Sequence, residues 1–518
     1  MSLLRATLGK KPLRSAPALT HIGGSSYHAS APSRDVKVEV SSPLYKSGGV
    51  HGGVLGGKKG AWRNKPLFRR EGDQRFRTGL EASEMLMAEA SRKYPASSQF
   101  TESLGDVLPA LAPVFDRSPK YAWIAKQLLE PERMVQFRVA WLDDSGTSRV
   151  NRGFRVQYSS ALGPYEGGLH FSSNMNSATL KALGIEGTLA NALTGCALGG
   201  AVGGADFNPH NKSEAEIQRF CQSFMTELAN YVGPDTDIPS MGYGIGPTEI
   251  GYLYGQYKRV THHNTQSGRG MLWGGSPPYP QATGYGIVHF ANSLLADKKD
   301  SLRGKRCLVT GTGKVALAVA EKLLEYGAIP LSLTDSSGHI YEPDGIDNAK
   351  LKVISKIKSE RGARIGRYII ASTTAQYNDP ENLYTVPCDM VFPCAARDEI
   401  DASAATILAD NGCIAVIEGA NGSCTRDAKA VMRKRGVSLG PHMATMCAGG
   451  IVSGLELATN PIAPGEDWEQ RVKGGMDRVY QDIKMAAKEY NTRGDLNAGA
   501  SISAFTKVAD VMAKHGVV

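Results

Sequence analysis

Residues 305–335 read KRCLVTGTGKVALAVAEKLLEYGAIPLSLTD, and the order of patterns within them decides the fold. An apolar run ends at Gly311-Thr312-Gly313-Lys314-Val315-Ala316, helical spacing of apolar residues follows from Val315 to Tyr326, and a second apolar run, IPLSLTD, closes on Asp335. Strand, glycine-rich turn, helix and strand in that order, with a carboxylate ending the second strand, form the dinucleotide-binding fingerprint G-x-G-x-x-A. The glycines let the backbone approach a pyrophosphate, and the helix start offers free N–H groups with a partial positive charge. Gly311, Gly313 and Ala316 are thereby predicted to cradle a dinucleotide and Asp335 to take a ribose hydroxyl, with Lys314 adding a cation beside the phosphates.

Downstream, short apolar runs alternate with helical patterns as far as Gly440, the signature of a parallel, doubly wound sheet. Upstream, apolar residues spaced three or four apart predict helices over Glu81 to Ala90, Phe100 to Phe115 and Lys120 to Leu129. The strand-like MVQFRVAWLDDSG then ends at a turn, and strand and turn signals recur to His170. The expected fold is α/β, an N-terminal mixed α/β substrate-type domain plus a C-terminal Rossmann dinucleotide-binding domain. The expected boundaries are 81–280 for the first, completed by helices in 468–518, and 281–467 for the second.

The chain of 518 residues is 42% hydrophobic and 21% charged, ordinary globular composition with core to bury. No apolar run approaches the roughly 20 residues of a membrane-spanning helix. The eight cysteines show no C-x-x-C and no paired metal-type spacing, so they read as free thiols and no metal site is expected. Much of the net charge of +9 sits at the front. Residues 1–34 carry Arg5, Lys10, Lys11, Arg14 and Arg34, many serines and no acid, the composition of a mitochondrial transit peptide, which implies the mitochondrial matrix. Residues 35–80 follow as a basic, glycine-rich linker or arm whose partners would be RNA, anionic lipid or an acidic protein face.

From about Glu81 onward the chain resembles the hexameric glutamate dehydrogenases, part of the Glu/Leu/Phe/Val dehydrogenase superfamily. The resemblance is carried by LEPERMVQFRVAWLDD, VNRGFRVQYSSALGPYEGGLHF, LGIEGTLANALTG, GGADFNP, RFCQSFMTEL, GPDTDIP, ATGYG, VTGTGKVA, DSSG, EGAN and SGLELA, in that order. It implies an amino-acid site in the N-terminal domain, NAD or NADP on the Rossmann domain, a homo-oligomer or a larger complex, and hydride transfer across the cleft between them. On the cofactor side it adds Thr283, Asn421 and Ser336 to Asp335 and the glycine loop. The family's C-A-T-Q-N-E reads Cys394-Ala395-Ala396-Arg397-Asp398-Glu399, a departure that bears on the nicotinamide pocket.

The amino-acid site departs further. The family's G-P-Y-K-G-G lysine, which holds a substrate carboxylate, is replaced by Glu166, and the Gln and Lys of E-Q-T-x-K-N by Gly187 and Ala190. The lysine of G-G-x-K-G-G that assists attack at the iminium carbon is replaced by Val202, and the proton-shuttling aspartate after P-A-G by Gly242. Tyr279 stands where R-P-E has its arginine, while Ser453 is retained, with the glycine pair Gly449-Gly450 one residue closer than usual. His170, where the family has Arg, reads as a partly exposed polar residue. A hydrogen bond to a charged group contributes about 1.5 to 3 kcal/mol. Losing three removes on the order of 5 to 9 kcal/mol, more than the roughly 4 kcal/mol that millimolar binding is worth. The expectation from these losses is a pseudoenzyme with no catalytic residues, a structural or nucleotide-binding component of a mitochondrial assembly. The alternatives are an active NAD(P)-dependent glutamate or amino-acid dehydrogenase with a rebuilt site, and a regulatory partner of an active paralogue.

Overall fold

The computed structural model describes residues 76–210, 212–262, 279–360, 362–459 and 467–516, and only the backbone of Tyr279, Pro280, Pro380, Glu381 and Thr459. The leader expected over 1–34, nearly all of the basic arm expected over 35–80, and the side chain of Tyr279 lie outside the described residues.

A first sheet contains β1 (Arg133–Leu142), β2 (Ser148–Ser159), β3 (Tyr165–Phe171), β4 (Gly200–Ala205) and β5 (Asp237–Ser240) in the order β1-β2-β4-β3-β5. β1 and β2 form an antiparallel hairpin. Its turn is held by the Asp143 carboxylate, which accepts from the N–H groups of Ser145 and Thr147, and Gly146 supplies the left-handed φ of 77°. β3 runs parallel to both β4 and β5. One face of this sheet carries the helices Glu214–Leu228 and Pro247–Thr261 over a core rich in phenylalanine, where the rings of Phe207 and Phe220 stack 3.7 Å apart.

The second sheet comprises β6 (Arg306–Val309), β7 (Ile329–Asp335), β8 (Gly338–Tyr341), β9 (Gln376–Asn378), β10 (Met390–Phe392), β11 (Ala415–Ile417) and β12 (Ser438–Gly440), ordered β12-β11-β10-β6-β7-β8-β9. Five strands are parallel, as expected, but β8 and β9 are antiparallel. Only Ser336 and Ser337 separate β7 from β8, too few residues for the crossover a parallel neighbour requires.

The helices expected over Glu81 to Ala90 and Lys120 to Leu129 form as Gly79–Lys93 and Lys120–Leu128, whereas the expected stretch Phe100 to Phe115 breaks into Ser98–Val107, a short 3-10 turn Pro109–Leu111 and Ala112–Arg117. Pro109 and Pro113 have no N–H to donate and each sits in the first turn of a new segment, so apolar spacing continued where the helix could not. The helices Trp468–Glu489 and Leu496–His515 return to pack on Tyr279–Asp297 and Ser177–Leu193, and one apolar core runs through all of them into the second sheet. Among the described residues no helix is long and apolar enough to cross a membrane.

Candidate active site

The loop after β6 is built as the fingerprint requires. Gly311 adopts φ 81°, a conformation that a residue with Cβ adopts only at a cost, and its N–H donates to Thr334 Oγ at 2.7 Å, which ties the loop to β7. Gly313 caps the helix Lys314–Glu325, and a Cβ placed there would meet nothing within 4 Å, so the helix N-terminus opens on free space. Ala316 is fully buried beneath that loop. The carbonyl of Cys394 lies 3.1 Å from where a Gly311 Cβ would be, and Gly419 approaches Cys394 as closely, so the loops after β6, β10 and β11 stand side by side. This is the crevice at the carboxyl ends of parallel strands where ligands of such sheets bind. Asn421 lies in the loop after β11. Thr283 lies in the helix Tyr279–Asp297, which meets Val315 and Ala318 through Gly284.

Asp335 is more occupied than its expected role suggests. Its carboxylate accepts from the Ser337 N–H and hydroxyl, from the Ile365 N–H at 2.7 Å and from Lys358 Nζ at 3.3 Å. Burial opposes its ionisation, but these partners outweigh it and hold the carboxyl below its usual range. Beside it, exposed Arg364 donates to the Ser336 hydroxyl. The rim at the end of β7 thus carries two cations, Lys358 and Arg364, that sequence reading missed. The available signal is the basic segment KIKSERGAR at 356–364.

On the other lobe, β3 places Glu166, Gly168 and His170 on one face, because side chains alternate along a strand. Glu166 is 4% exposed. Its carboxylate accepts from Ser453 Oγ at 3.1 Å and from Asn191 Nδ2 at 3.2 Å, and Asn191 is fixed in turn by the Gly199 carbonyl at 2.7 Å. Ser453, itself fully buried, reaches this carboxylate because its helix, Cys447–Thr459, packs closely through two glycines, Gly450 against helix Ser177–Leu193 and Gly454 against the turn that follows it, where an added Cβ would lie 2.9 Å from Asn191 Oδ1 and 2.4 Å from Cys196 Sγ. β3 itself is anchored by a buried pair. Arg155 on β2 donates through Nε to Asp237 on β5 at 3.0 Å and through Nη1 to the Gly167 carbonyl at 3.0 Å.

The remaining altered positions separate. Val202 is buried in the main core opposite Val156 on β2. Gly187 and Ala190 lie on the same side of helix Ser177–Leu193 as Asn191. A Cβ at Gly187 would meet nothing closer than 3.8 Å, so the helix surface beside Glu166 is left short of side chains. Gly242 runs so near β3 that a Cβ would sit 2.3 Å from the Leu169 carbonyl oxygen, and the His170 ring covers it. His170 Nδ1 accepts from the Tyr243 N–H at 3.2 Å, which leaves the proton on Nε2. Burial, with Arg155 adding to it, pulls its pKa down to about 4, so the ring is neutral at pH 7.

Between the lobes, Glu186 accepts from Ser103 Oγ at 2.5 Å and from Arg397 Nη2 at 2.7 Å. Arg397, expected to bear on the nicotinamide pocket, is thus drawn toward the amino-acid lobe. The lobes also meet at the helix beginning with Pro247, where a Cβ on Gly246 would come within 2.6 Å of Lys314 Nζ.

Comparison with known proteins accounts for this arrangement. The model of the Glu/Leu/Phe/Val dehydrogenase family matches residues 274–516, and that of its dimerisation domain matches residues 131–259. An NADP-specific glutamate dehydrogenase of Chlorella sorokiniana is 44% identical over 88% of this chain and 88% of its own length, and one of Giardia intestinalis is 41% identical over 84% and 99%. The crystal structure of Plasmodium falciparum glutamate dehydrogenase superposes with a TM-score of 0.82 at 39% identity, covering 85% of this chain and 95% of that one. These relatives overturn the expectation of a pseudoenzyme. Chains this similar over nearly their whole length are named as glutamate dehydrogenases. Of the altered positions, Glu166 is held in a hydrogen-bonded set with Asn191 and the retained Ser453. With both of its lobes matched, the chain belongs to the Glu/Leu/Phe/Val dehydrogenase family.

Proposed function

We propose that this protein is an NADP-dependent amino-acid dehydrogenase acting through a rebuilt amino-acid site. The observation that carries the reading is the nucleotide cradle. Gly311 and Gly313 leave the N-terminus of helix Lys314–Glu325 open to a pyrophosphate, and the end of β7 presents Ser336, Lys358 and Arg364. Because Asp335 is bonded to Ser337, Ile365 and Lys358, it offers a 2′-hydroxyl less than an NAD site would, while Arg364 and Lys358 suit a 2′-phosphate. The bound dinucleotide would supply the hydride acceptor. Thr283, on helix Tyr279–Asp297, and Asn421, in the loop after β11, would border the dinucleotide, and the substrate would lie against the β3 face, where Glu166 accepts hydrogen bonds and His170 presents Nε2–H.

Self-association accompanies this reading. Among the described residues β1 is an unpaired edge of the first sheet, and Met134, Leu142 and Val150 are exposed on this hairpin. The match to the family's dimerisation domain over 131–259 supports an oligomer built on that hairpin. A matrix location is supported by the basic, acid-free composition of residues 1–34.

The test is a spectrophotometric assay of the purified full chain, with NADP or NAD and a panel of L-amino acids, and of the reverse reaction with the corresponding 2-oxo acids and ammonium. NADP-dependent turnover of at least one amino acid is expected. Absence of turnover in both directions with both nucleotides would refute the enzymatic reading, and turnover with NAD alone would refute the nucleotide preference.

A further inference from the structure

Glu166 is a carboxylate taken out of water. It is 4% exposed, and among the described residues it forms no ion pair. Its two hydrogen-bond donors, the Ser453 hydroxyl and the Asn191 amide, are both neutral. Removing a carboxylate from water without a cation costs several kcal/mol, and two neutral donors restore only part of it. Each oxygen takes one bond from these side chains and has a further lone pair to offer.

The surroundings are built from small residues. Gly187, Ala190 and Asn191 share one side of helix Ser177–Leu193; of these only Asn191 projects a polar group, and a Cβ added at Gly187 would stand in ordinary contact with the Ala201 carbonyl oxygen, 3.8 Å away. Gly168, next along the β3 face, contributes none either. The site therefore consists of an anchored carboxyl group beside a small-residue helix surface, and among the described residues no cation pairs with it.

We propose that Glu166 is a substrate-recognition carboxylate and that the amino acid taken by this site carries a positive charge on its side chain, an ammonium or guanidinium seated on Glu166 between Ser453 and the Gly187–Ala190 surface. The inference rests on the amino-acid dehydrogenase reading and fixes its substrate class as diamino or basic rather than dicarboxylic. Electrostatic complementarity then works by exclusion as well as attraction, since a substrate with a side-chain carboxylate would meet a buried like charge.

Isothermal titration of the full chain, saturated with NADPH, against L-lysine, L-ornithine, L-norleucine and L-glutamate tests it, with turnover of the same four followed separately. L-lysine or L-ornithine should bind at least tenfold more tightly than L-norleucine, which matches lysine in chain length but lacks the terminal ammonium, and more tightly still than L-glutamate. Glu166→Gln should erase the difference between L-lysine and L-norleucine, and Ser453→Ala should shrink it. If Glu166→Gln does not fold, the ranking of L-lysine against L-norleucine in the unmodified protein decides alone. Equal binding of these two, tighter binding of L-glutamate, or binding of none of the four overturns the proposal. Turnover of L-norleucine or L-glutamate with no preference for charge would leave the dehydrogenase reading standing and remove this inference. Binding of L-lysine that depends on Glu166, with no amino acid oxidised, would do the reverse.

Discussion

At the end of β7, exposed Arg364 donates to the Ser336 hydroxyl and Lys358 reaches Asp335, so a phosphate arriving at Ser336 would replace a hydroxyl partner with an anion. Arg364→Ala should therefore weaken NADPH binding by roughly tenfold, the lower part of the range for a charge-assisted hydrogen bond, and leave NADH binding nearly unchanged. Fluorescence titration with both nucleotides measures this, and equal losses for the two would show that Arg364 does not discriminate them. Gly242 makes a different kind of statement. Its missing carboxylate cannot be restored by substitution alone, because a Cβ would lie 2.3 Å from the Leu169 oxygen, and backbone does not yield as a flexible side chain does. Gly242→Asp should lower stability by about 1 to 3 kcal/mol in urea denaturation. Wild-type stability in that variant would mean that the 240–243 segment moves away from β3 at little cost.

Helix Cys447–Thr459 is positioned by contacts that only small residues allow, and this is what brings Ser453 to Glu166. A Cβ on Gly286 would lie 2.3 Å from the Ala448 Cβ, whereas a Cβ on Gly474, in helix Trp468–Glu489, would meet nothing within 4 Å. The two glycines should answer the same substitution with opposite signs. Gly474→Ala gains helix propensity and should stabilise by about 0.5 to 1 kcal/mol. Gly286→Ala should destabilise by about 1 to 3 kcal/mol through overpacking, despite the same gain in propensity. Thermal unfolding of the pair measures both, and a stabilised Gly286→Ala would contradict the close crossing. Such crossings are also where sequence reading stopped. The unit at 305–335 was legible because the period changes from strand to helix and back around glycines with a fixed chemical purpose. The prolines at 109 and 113 were legible too, yet apolar spacing ran through them, and the β7-β8 hairpin was hidden by strands too short to show alternation. At the site, the residue types at 166, 187, 190, 202 and 242 were read from their motifs. That Ser453 and Asn191 both turn to Glu166 depends on a helix crossing between residues far apart in the chain, which no local pattern encodes. Without that contact the substitutions looked like subtraction alone.

Across the whole molecule, ion pairs join the nucleotide-binding lobe to the helices packed against it: Arg397 with Glu186, Lys429 with Asp106, and Arg433 with Asp495, each at 2.7 Å. Burial works against the charge on Glu186, but His442, Arg397 and the Ser103 hydroxyl outweigh it and hold the carboxyl below its usual range. Two histidines, His289 buried and His170 partly exposed as expected, set the first response to acid. Burial pulls His170 and His289 down to about 4, aided by Arg155 in one case and by Lys322 and Lys473 in the other. Both rings are therefore neutral in the folded protein at pH 5.5, while in the unfolded chain they titrate near 6.5. Between pH 6.5 and 4 the unfolded state binds more protons, so stability is complete above 6.5 and falls with acidification, by roughly 1.4 kcal/mol per pH unit for each histidine fully protonated in the unfolded state only. A second decline follows below pH 4.5, where Glu418 and Glu342, both held near 2 against the pull of burial by Lys429 and His442 and by Lys350 and neighbouring hydroxyls, take up protons first in the unfolded chain. Urea midpoints measured at half-unit steps from pH 7.5 to 3.5 should show the two declines in that order. Converting His170 and His289 to asparagine and glutamine should reduce the first, leaving the share of His339, whose pKa burial also lowers, and leave the second in place. A first decline that survives undiminished in the double variant would mean that His170 and His289 do not carry it.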